Sequence, residues 1–539
     1  MPRIFLSDKL GAGGVELLKA SGLDIDNRPG LKDAALVEAL QAADGMIVRS
    51  ETKVTAALLE NPGKLRAIVR AGVGVDNIDI SAATRKGIVV MNTPGGNTIS
   101  TAEQTITLMM TLARHTAAGD ASMKQGKWER SKFVGTQLAG KTLGVVGLGR
   151  IGREVARRAA GLDMKIIGFD PFFSPDFAGK MGIETAPDLA SMLPKIDFLT
   201  VHTPLSPETT DLIGAAQLAM MKKGSRVLNC ARGGIINEEA LVEALKSGHI
   251  AGAALDVFVQ EPPPADHPLL KLANVVVTPH LGASTTEAQE SVALEAAQLL
   301  IDYLTKGAVQ FAVNMAAVDR AELEEVRLYV DMARRLGLLQ AQMAQGSIKR
   351  AQLTYRGDVS RRSTKLITGA FAAGLLESHL AQNVNIVNAE LIARERGIEI
   401  IQQSVSHRGD FSTLIQTEVT TDKKSYTASG TLFGNQFLRL VQLGQYHLDA
   451  YMDGIMLLFT HRDVPGLIGF IGTIFGKHNV NIAQMTVGRV QPGGEAIAVL
   501  NLDSYPPEAA LQEVRAHDKV SSVSVVKLPK AGEMPVWFG

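Results

Sequence analysis

The run Gly147-Leu148-Gly149-Arg150-Ile151-Gly152 follows an apolar stretch, Thr142–Gly147, opens an amphipathic helical pattern, and precedes a second apolar stretch ending in Asp170. Strand, glycine-spaced turn, helix and strand in that order make up the start of a doubly wound parallel sheet. Glycine at 147 permits the tight turn, glycine at 149 lets a pyrophosphate approach the backbone, and glycine at 152 lets the helix pack on the strand. The helix beginning near Arg150 then points free N–H groups and its positive dipole end at phosphates. A dinucleotide site follows from this context, because glycines alone also gather in ordinary turns. Asp170 can accept hydrogen bonds from ribose hydroxyls and would repel a 2′-phosphate, which selects NAD over NADP. The rival reading of Asp170 is an N-cap, helped by Pro171.

The alternation extends well beyond this turn. In the first hundred residues Arg3–Ser7, Gly45–Val48 and Ala67–Arg70 read as strands, and Gly14–Ala20 and Leu36–Ala42 as helices. Further strands are expected at Met164–Asp170, Phe198–His202, Ser225–Cys230, Ala251–Val257 and Val275–Thr278. They are near-continuously apolar, as strands buried on both faces should be. A long helix is expected from Ser284, with Ser284 and Glu287 at capping-box spacing, to its stop at Gly307. Such a helix can return the chain to the first unit, which would make that unit discontinuous.

The style changes near residue 317. Ala321–Ala344 is charged and helical, Arg350–Tyr355 reads as a strand, Thr364–Leu376 as a helix, and a β-rich stretch, Asp410–Leu432, closes an α+β unit. Arg356, Arg361, Arg362 and Lys365 cluster there; a solvated basic face is preferred to a second anion site. The last unit reads strand Ile455–His461, helix Leu467–Lys477, strands Ile482–Val490 and Ala496–Asp503, helix Pro507–His517 and strand Val520–Leu528. That is the ferredoxin-like, split-βαβ order.

Length and charge narrow the function. A chain of 539 residues is too long for one core, and roughly three or four domains are expected. Lys plus Arg, 55, balance Asp plus Glu, 55, so no global field favours nucleic acid or an anionic membrane. No apolar run approaches the roughly 20 residues of a membrane helix. Cys230 is the one cysteine, which rules out an intrachain disulfide. A cytoplasmic protein is expected. The eleven histidines show no paired ligand spacing, so no metal is expected.

Three polar residues follow strand-like runs downstream of the glycine turn. His280, in Thr278-Pro279-His280-Leu281-Gly282, stands where ligands bind in such sheets, at a strand's carboxyl end. Histidine suits the base that removes a hydroxyl proton while hydride leaves the same carbon. Glu261 precedes Pro262-Pro263-Pro264 and can orient an imidazole, or be a solvated loop residue. Arg232, before Gly233-Gly234, can take a carboxylate bidentately, or be a surface arginine. Together they point to hydride transfer on a hydroxy or keto acid.

Leu143–Asp170, Ile196–Ile213 and Met221–Asn237 resemble the signature regions of the D-isomer-specific 2-hydroxyacid dehydrogenases. Val69-Arg70-Ala71-Gly72-Val73-Gly74-Val75-Asp76-Asn77, Met91-Asn92-Thr93-Pro94 and Pro279–Ser284 match most closely the D-3-phosphoglycerate dehydrogenase branch, in its long form. The resemblance implies a Rossmann-type NAD-binding domain at 98–283. It also implies a flavodoxin-like substrate domain at 1–97 plus 284–314, an α+β intervening domain at 317–450 and an ACT regulatory domain at 454–528. It implies NAD-dependent oxidation of 3-phosphoglycerate to 3-phosphohydroxypyruvate, the entry to serine synthesis. Arg232 would orient substrate, Glu261 pair with His280, and His280 act as acid–base. Arg150, Ile151, Thr203, Pro204, Cys230 and Asp256 would surround the cofactor. Thr203 and Pro204 otherwise read as a turn, Asp256 as a local cap and Cys230 as a small buried residue. Family members often have threonine where this chain has Val73.

For the substrate phosphate, Arg49 and Asn97 are the first-domain candidates, and Arg130 and Lys132 can add charge across a dimer interface; each cation is also an ordinary solvated residue. Asp463, in Thr460-His461-Arg462-Asp463-Val464-Pro465-Gly466, and Asn481 match the ACT effector elements, and both also suit turns. Inhibition by L-serine and a homodimer or homotetramer are implied, with effector held between paired modules; many family patterns carry asparagine at the Asp463 position. The competing readings are a hydroxypyruvate or glyoxylate reductase, a non-catalytic NADH-sensing scaffold, and an amino-acid sensor.

Overall fold

The computed structural model describes residues 1–173, 175–315, 320–377, 380, 384–405, 409–434 and 436–535. Its first sheet is wholly parallel, in the order Asp24–Asn27, Arg3–Leu6, Gly45–Val48, Ala67–Arg70, Val89–Asn92. Numbered along the chain this is 2-1-3-4-5, the flavodoxin-like order. Alternate residues serve opposite faces. Ile4, Leu6, Ile47, Val69 and Met91 meet the helix Thr286–Lys306, while Phe5, Met46, Val48, Ile68 and Val90 meet Leu40 and Ala83. The sequence patterns as apolar runs because both faces are covered.

The helix Thr286–Lys306 belongs spatially to this first sheet although the chain reaches it only after the second. Beyond it the chain lies along the outer strand, with Asn92 N–H donating to Phe311 O and Val313 N–H to Val90 O. The helix cap differs from the expected one. Thr285, not Ser284, caps the first turn by accepting from Ala288 N–H at 3.1 Å. Ser284 instead closes a turn through its N–H to Leu281 O, so the Ser284–Glu287 box does not form. Gly307 ends the helix at φ 66°, as its composition suggested.

The second sheet has seven parallel strands, ordered Val275–Val277, Ile250–Leu255, Ser225–Asn229, Phe198–Val201, Thr142–Val146, Lys165–Phe169, Glu184–Thr185. Numbered from Thr142 this is 3-2-1-4-5-6-7, the Rossmann order with one strand added. The two-residue strand Glu184–Thr185 is too short to leave a periodic signal in sequence. The chain reverses direction across the sheet between Thr142–Val146 and Phe198–Val201, and the crevice for a ligand opens there.

The third sheet places Glu399–Val405 parallel to Ile348–Gly357, then continues antiparallel through Thr413–Thr421, Ser425–Phe433, Phe437–Leu443 and Tyr446–Tyr451. The β-rich region therefore does not close at Leu432. A further hairpin carries it to Tyr451, and its polar, alternating residues hid it. The expected boundary at residue 317 falls outside the described residues. Of the clustered cations, Arg362 pairs with Glu325. The helices Arg320–Met343 and Thr364–Glu377 supply the core of this unit through Leu336, Leu339, Ile367 and Phe371.

The last sheet is antiparallel, ordered Ile482–Arg489, Glu495–Leu502, Ile455–Arg462, Val520–Lys527, with helices Leu467–Lys477 and Glu508–Arg515 on one face. This is the ferredoxin-like arrangement. Its other face presents Met456, Leu458, Val499 and Val526 to the core of the third unit. Among the described residues no helix is long and apolar enough to cross a membrane.

Candidate active site

The glycine turn is built as its sequence requires. Gly147 has φ 89°, and a β-carbon there would lie 2.6 Å from His202 O. A β-carbon on Gly152 would lie 2.0 Å from Gly147 O, so only glycine lets the helix Arg150–Ala160 seat on the strand end. Nothing lies within 4 Å of the corresponding point at Gly149, which leaves room for a ligand against the backbone. Asp170 ends the neighbouring strand and accepts from Leu148 N–H at 2.8 Å and Phe172 N–H at 2.9 Å. Each carboxylate oxygen has a second lone pair free for a ribose hydroxyl.

In front of this turn lies a cleft of about 500 Å³ between the first and second sheets. The first unit lines it with Arg70, the Val73–Asp76 loop, Asn92 and Asn97; the second with Gly149, Arg150, Ile151, Thr203, Pro204, Cys230, Arg232 and His280. Four enclosed polar atoms of residues lining this cleft, Arg70 Nε, Asn97 Oδ1, His202 Nδ1 and Thr203 Oγ1, have no hydrogen-bond partner. Buried polar groups are normally satisfied, so these atoms fit a polar ligand. With the open space at Gly149, they fit a dinucleotide. Arg150 also crosses to the first unit, its guanidinium 5.7 Å from the Phe311 ring centre.

Arg232 is oriented by two bonds. Its Nε donates to Asp76 Oδ2 at 2.8 Å and its Nη1 to Ala231 O at 2.6 Å, which leaves Nη2 against Gly74. His280 sits at φ 55°, a left-handed conformation uncommon outside glycine. Its Nδ1 lies 2.7 Å from Glu261 Oε2, and Glu261 Oε1 accepts from Phe258 N–H at 3.1 Å. Burial alone would raise the Glu261 carboxyl. The His280 hydrogen bond and charge, the Phe258 N–H and Arg232 outweigh it and hold the carboxyl below the usual range. The strained turn around His280 is held from behind by Asp256. That buried carboxylate accepts from Thr278 Oγ1, from Leu281 N–H and from Gly282 N–H, the last two at 2.8 Å. Asp256 is thus placed directly behind His280, and with His280 and Glu261 it lines the adjoining pocket.

Cations gather at the carboxyl ends of the first sheet's strands. Arg70, which the sequence motif contained without marking, is the one most deeply set. Burial first, and Arg232 second, pull its guanidinium down to about 10, and its Nε has no partner. Its guanidinium occupies the space a β-carbon on Gly72 would take. Arg49 follows the next strand, its N–H on Asp8 Oδ2 at 2.6 Å and its Nη1 on Lys9 O at 3.3 Å. The position at a strand's end was the available signal for Arg70; its burial was not. Arg130 is exposed on a short turn outside the cleft. Lys132 beside it pairs with Glu129 at 2.6 Å.

Burial pushes the Cys230 thiol up to about 12, so it is a small apolar wall of the cleft. Burial also pushes the neighbouring His202 down to about 4. The last unit holds Asp463 and Asn481 apart. Arg462 and Arg489 pair with Glu495 and Ala496 at one end of the sheet, whereas Ile455 and Ile482 both pair with Leu502 at the other. At roughly 3.3 Å per residue, the eight-residue strand Ile455–Arg462 separates the two by about 25 Å within one chain. Asp463 accepts from Arg489 Nη1 at 2.8 Å, and the Arg489 bond holds its carboxyl below the usual range. Asn481 Nδ2 donates to Asp503 Oδ2 at 2.7 Å.

Comparison with known proteins covers nearly all of this architecture. Residues 106–282 match the NAD binding domain of the D-isomer specific 2-hydroxyacid dehydrogenases. Residues 325–444 match the D-3-phosphoglycerate dehydrogenase intervening domain, and residues 455–518 the ACT domain. The chain is 40% identical over 528 residues to the D-3-phosphoglycerate dehydrogenase of Methanocaldococcus jannaschii, covering 98% of this chain and 100% of the relative. It is 42% identical over 530 residues to that of Synechocystis, covering 98% and 95%. A glyoxylate reductase structure from Paecilomyes thermophila superposes with a TM-score of 0.54 at 29% identity, over 58% of this chain and 98% of that one.

Proposed function

From the chain's membership of the D-3-phosphoglycerate dehydrogenase family, we infer that the cleft between its first two sheets oxidises 3-phospho-D-glycerate to 3-phosphohydroxypyruvate with NAD, the first step of L-serine biosynthesis. The observation that carries this reading is the His280–Glu261 pair opening on the same cleft as Arg232 and the glycine turn. NAD, when bound along Gly149–Ile151 with Asp170 at its ribose, supplies the hydride acceptor. Arg232, fixed by Asp76, pairs its remaining edge with the substrate carboxylate. Glu261 takes one imidazole nitrogen, so Nε2 of His280 receives the hydroxyl proton as the C–H bond breaks. Asp256 keeps the His280 turn in place.

Arg49, Arg70 and Asn97 supply the phosphate subsite, and Arg130 adds to it from a partner's arm in a homodimer or homotetramer. The domains are 1–97 plus 284–314 for substrate, 98–283 for NAD, 317–450 intervening and 454–528 regulatory. The bonds of Phe311 and Val313 to the first sheet support the discontinuous division. L-serine is the effector, bound between the Asp463 element of one chain and the Asn481 element of another, because their opposite ends of the sheet meet only across two copies. The site of action is the cytoplasm.

The test is NADH oxidation with 3-phosphohydroxypyruvate, hydroxypyruvate and glyoxylate, each with and without L-serine. Preference for the phosphorylated acid, loss of turnover in His280→Ala and suppression by serine are the expected results. Turnover with unphosphorylated acids alone would overturn the substrate assignment.

A further inference from the structure

A second carboxylate–imidazole pair lies behind the first. Glu238 is the first residue of the helix Glu238–Lys246, and its Oε2 is 3.1 Å from Nε2 of His267. Both side chains are largely buried, each 17% exposed. Leu269 N–H donates to His267 Nδ1 at 3.3 Å. A backbone N–H can only donate, so Nδ1 carries no proton, and the ring's proton sits on Nε2 and points at Glu238. The other Glu238 oxygen accepts from Val259 N–H at 2.8 Å.

Val259 adjoins Phe258, whose N–H is held by Glu261. Two consecutive backbone donors are therefore gripped by two carboxylates, one belonging to each pair. The peptide between them lies flat on Gly233, where a β-carbon would fall 2.0 Å from Phe258 C and 2.3 Å from Val259 N. Gly233 follows Arg232 directly. The Phe258–Val259 peptide thus lies against the glycine next to the substrate-binding arginine, while the N–H of Phe258, one peptide earlier, holds the carboxylate partner of His280.

We propose that Glu238 and His267 are positioning residues for hydride transfer, fixing through the backbone of Phe258 and Val259 the spacing between Arg232 and the Glu261–His280 pair. This rests on the dehydrogenase reading above. Neither residue touches the cleft, so each acts through Glu261 and Gly233. A displacement of about 1 Å at a reacting group can cost on the order of 100-fold in rate.

The test uses the full chain with 3-phosphohydroxypyruvate and NADH. Glu238→Gln keeps the side chain's size but puts an amide donor against the protonated Nε2. His267→Asn keeps an acceptor for Leu269 N–H but is too short for Glu238. Turnover is expressed per NADH-binding site from fluorescence titration, so unfolded protein does not count. In both variants kcat per site should fall about tenfold or more, with NADH affinity unchanged and the acid limb of the kcat/KM pH profile displaced. In a Glu261→Gln background the Glu238→Gln change should cost less than it does alone, since part of its effect acts through Glu261. Wild-type kcat and pH profile in both variants, or losses that multiply with Glu261→Gln, would overturn the proposal. Absence of turnover in the wild type would instead overturn the dehydrogenase reading.

Discussion

Cys230 and Asp170 show what single side chains contribute. Burial holds the Cys230 thiol near 12, and only a thiolate is nucleophilic. Iodoacetamide at pH 8 should leave the folded protein unlabelled and label it after denaturation; rapid native labelling would refute the burial. The folded pKa is raised, so this stabilisation is complete below the unfolded thiol's value. It declines as pH rises toward about 12, because the unfolded chain ionises first. Cys230→Ala should remove that one-proton slope, about 1.4 kcal/mol per pH unit. Asp170 already accepts from the backbone of its own glycine turn, which holds its carboxylate in place for the proposed ribose contact. Asp170→Ala should raise NADP use relative to NAD in steady-state assays, and an unchanged ratio would remove its role. The arginines divide differently. Arg49 was visible as a cation after a strand, but the depth of Arg70 depends on Gly72 and Gly74 clearing space for two guanidiniums, which no local pattern displays.

At the level of elements, composition located most helices and strands and misplaced some ends. The helix Thr286–Lys306 begins at Thr285 because Ser284 is committed to a turn with Leu281. Two adjacent hydroxyl residues compete for one cap, and the turn that carries His280 decides between them. Thr285→Ala should cost about 1 kcal/mol and speed amide exchange in the first turn of that helix, whereas Ser284→Ala should leave exchange there unaltered. The hairpin from Phe437 to Tyr451 was missed for another reason. Its strands carry Arg439, Gln442, His447 and Asp449, and its burial comes from the helix layer and the neighbouring unit rather than from its own run of residues.

Across the whole molecule, a few buried polar side chains join the units. Arg335 is fully enclosed, bound to Asp331 at 2.7 Å and to the carbonyls of Met452, Pro529, Lys530 and Glu533. It ties the core helix of the third unit to both ends of the fourth. Asn385 and Asn388 similarly donate to Gly87 O and Arg85 O, capping a helix of the first unit. Arg335→Met strands Asp331 and four carbonyls, at a cost of about 3–5 kcal/mol. Amide exchange over residues 453–535 should accelerate while the helix Arg150–Ala160 stays protected. Equal protection throughout would mean that Arg335 does not hold the last unit in place.

The order of strands and helices, the glycine turn, Asp170 and the three polar residues after strand ends were all determined by sequence, because each rests on local spacing and backbone chemistry. The meeting of Arg232 with Asp76, of His280 with Glu261 and of Glu238 with the peptide beside Glu261 was decided by tertiary structure alone. So were the depth of Arg70 and the separation of Asp463 from Asn481. Local sequence sets which groups a strand end presents. Which groups then face one another depends on how whole sheets pack, and that packing is the sum of many apolar contacts, none of which is adjacent in the chain to the residues it aligns.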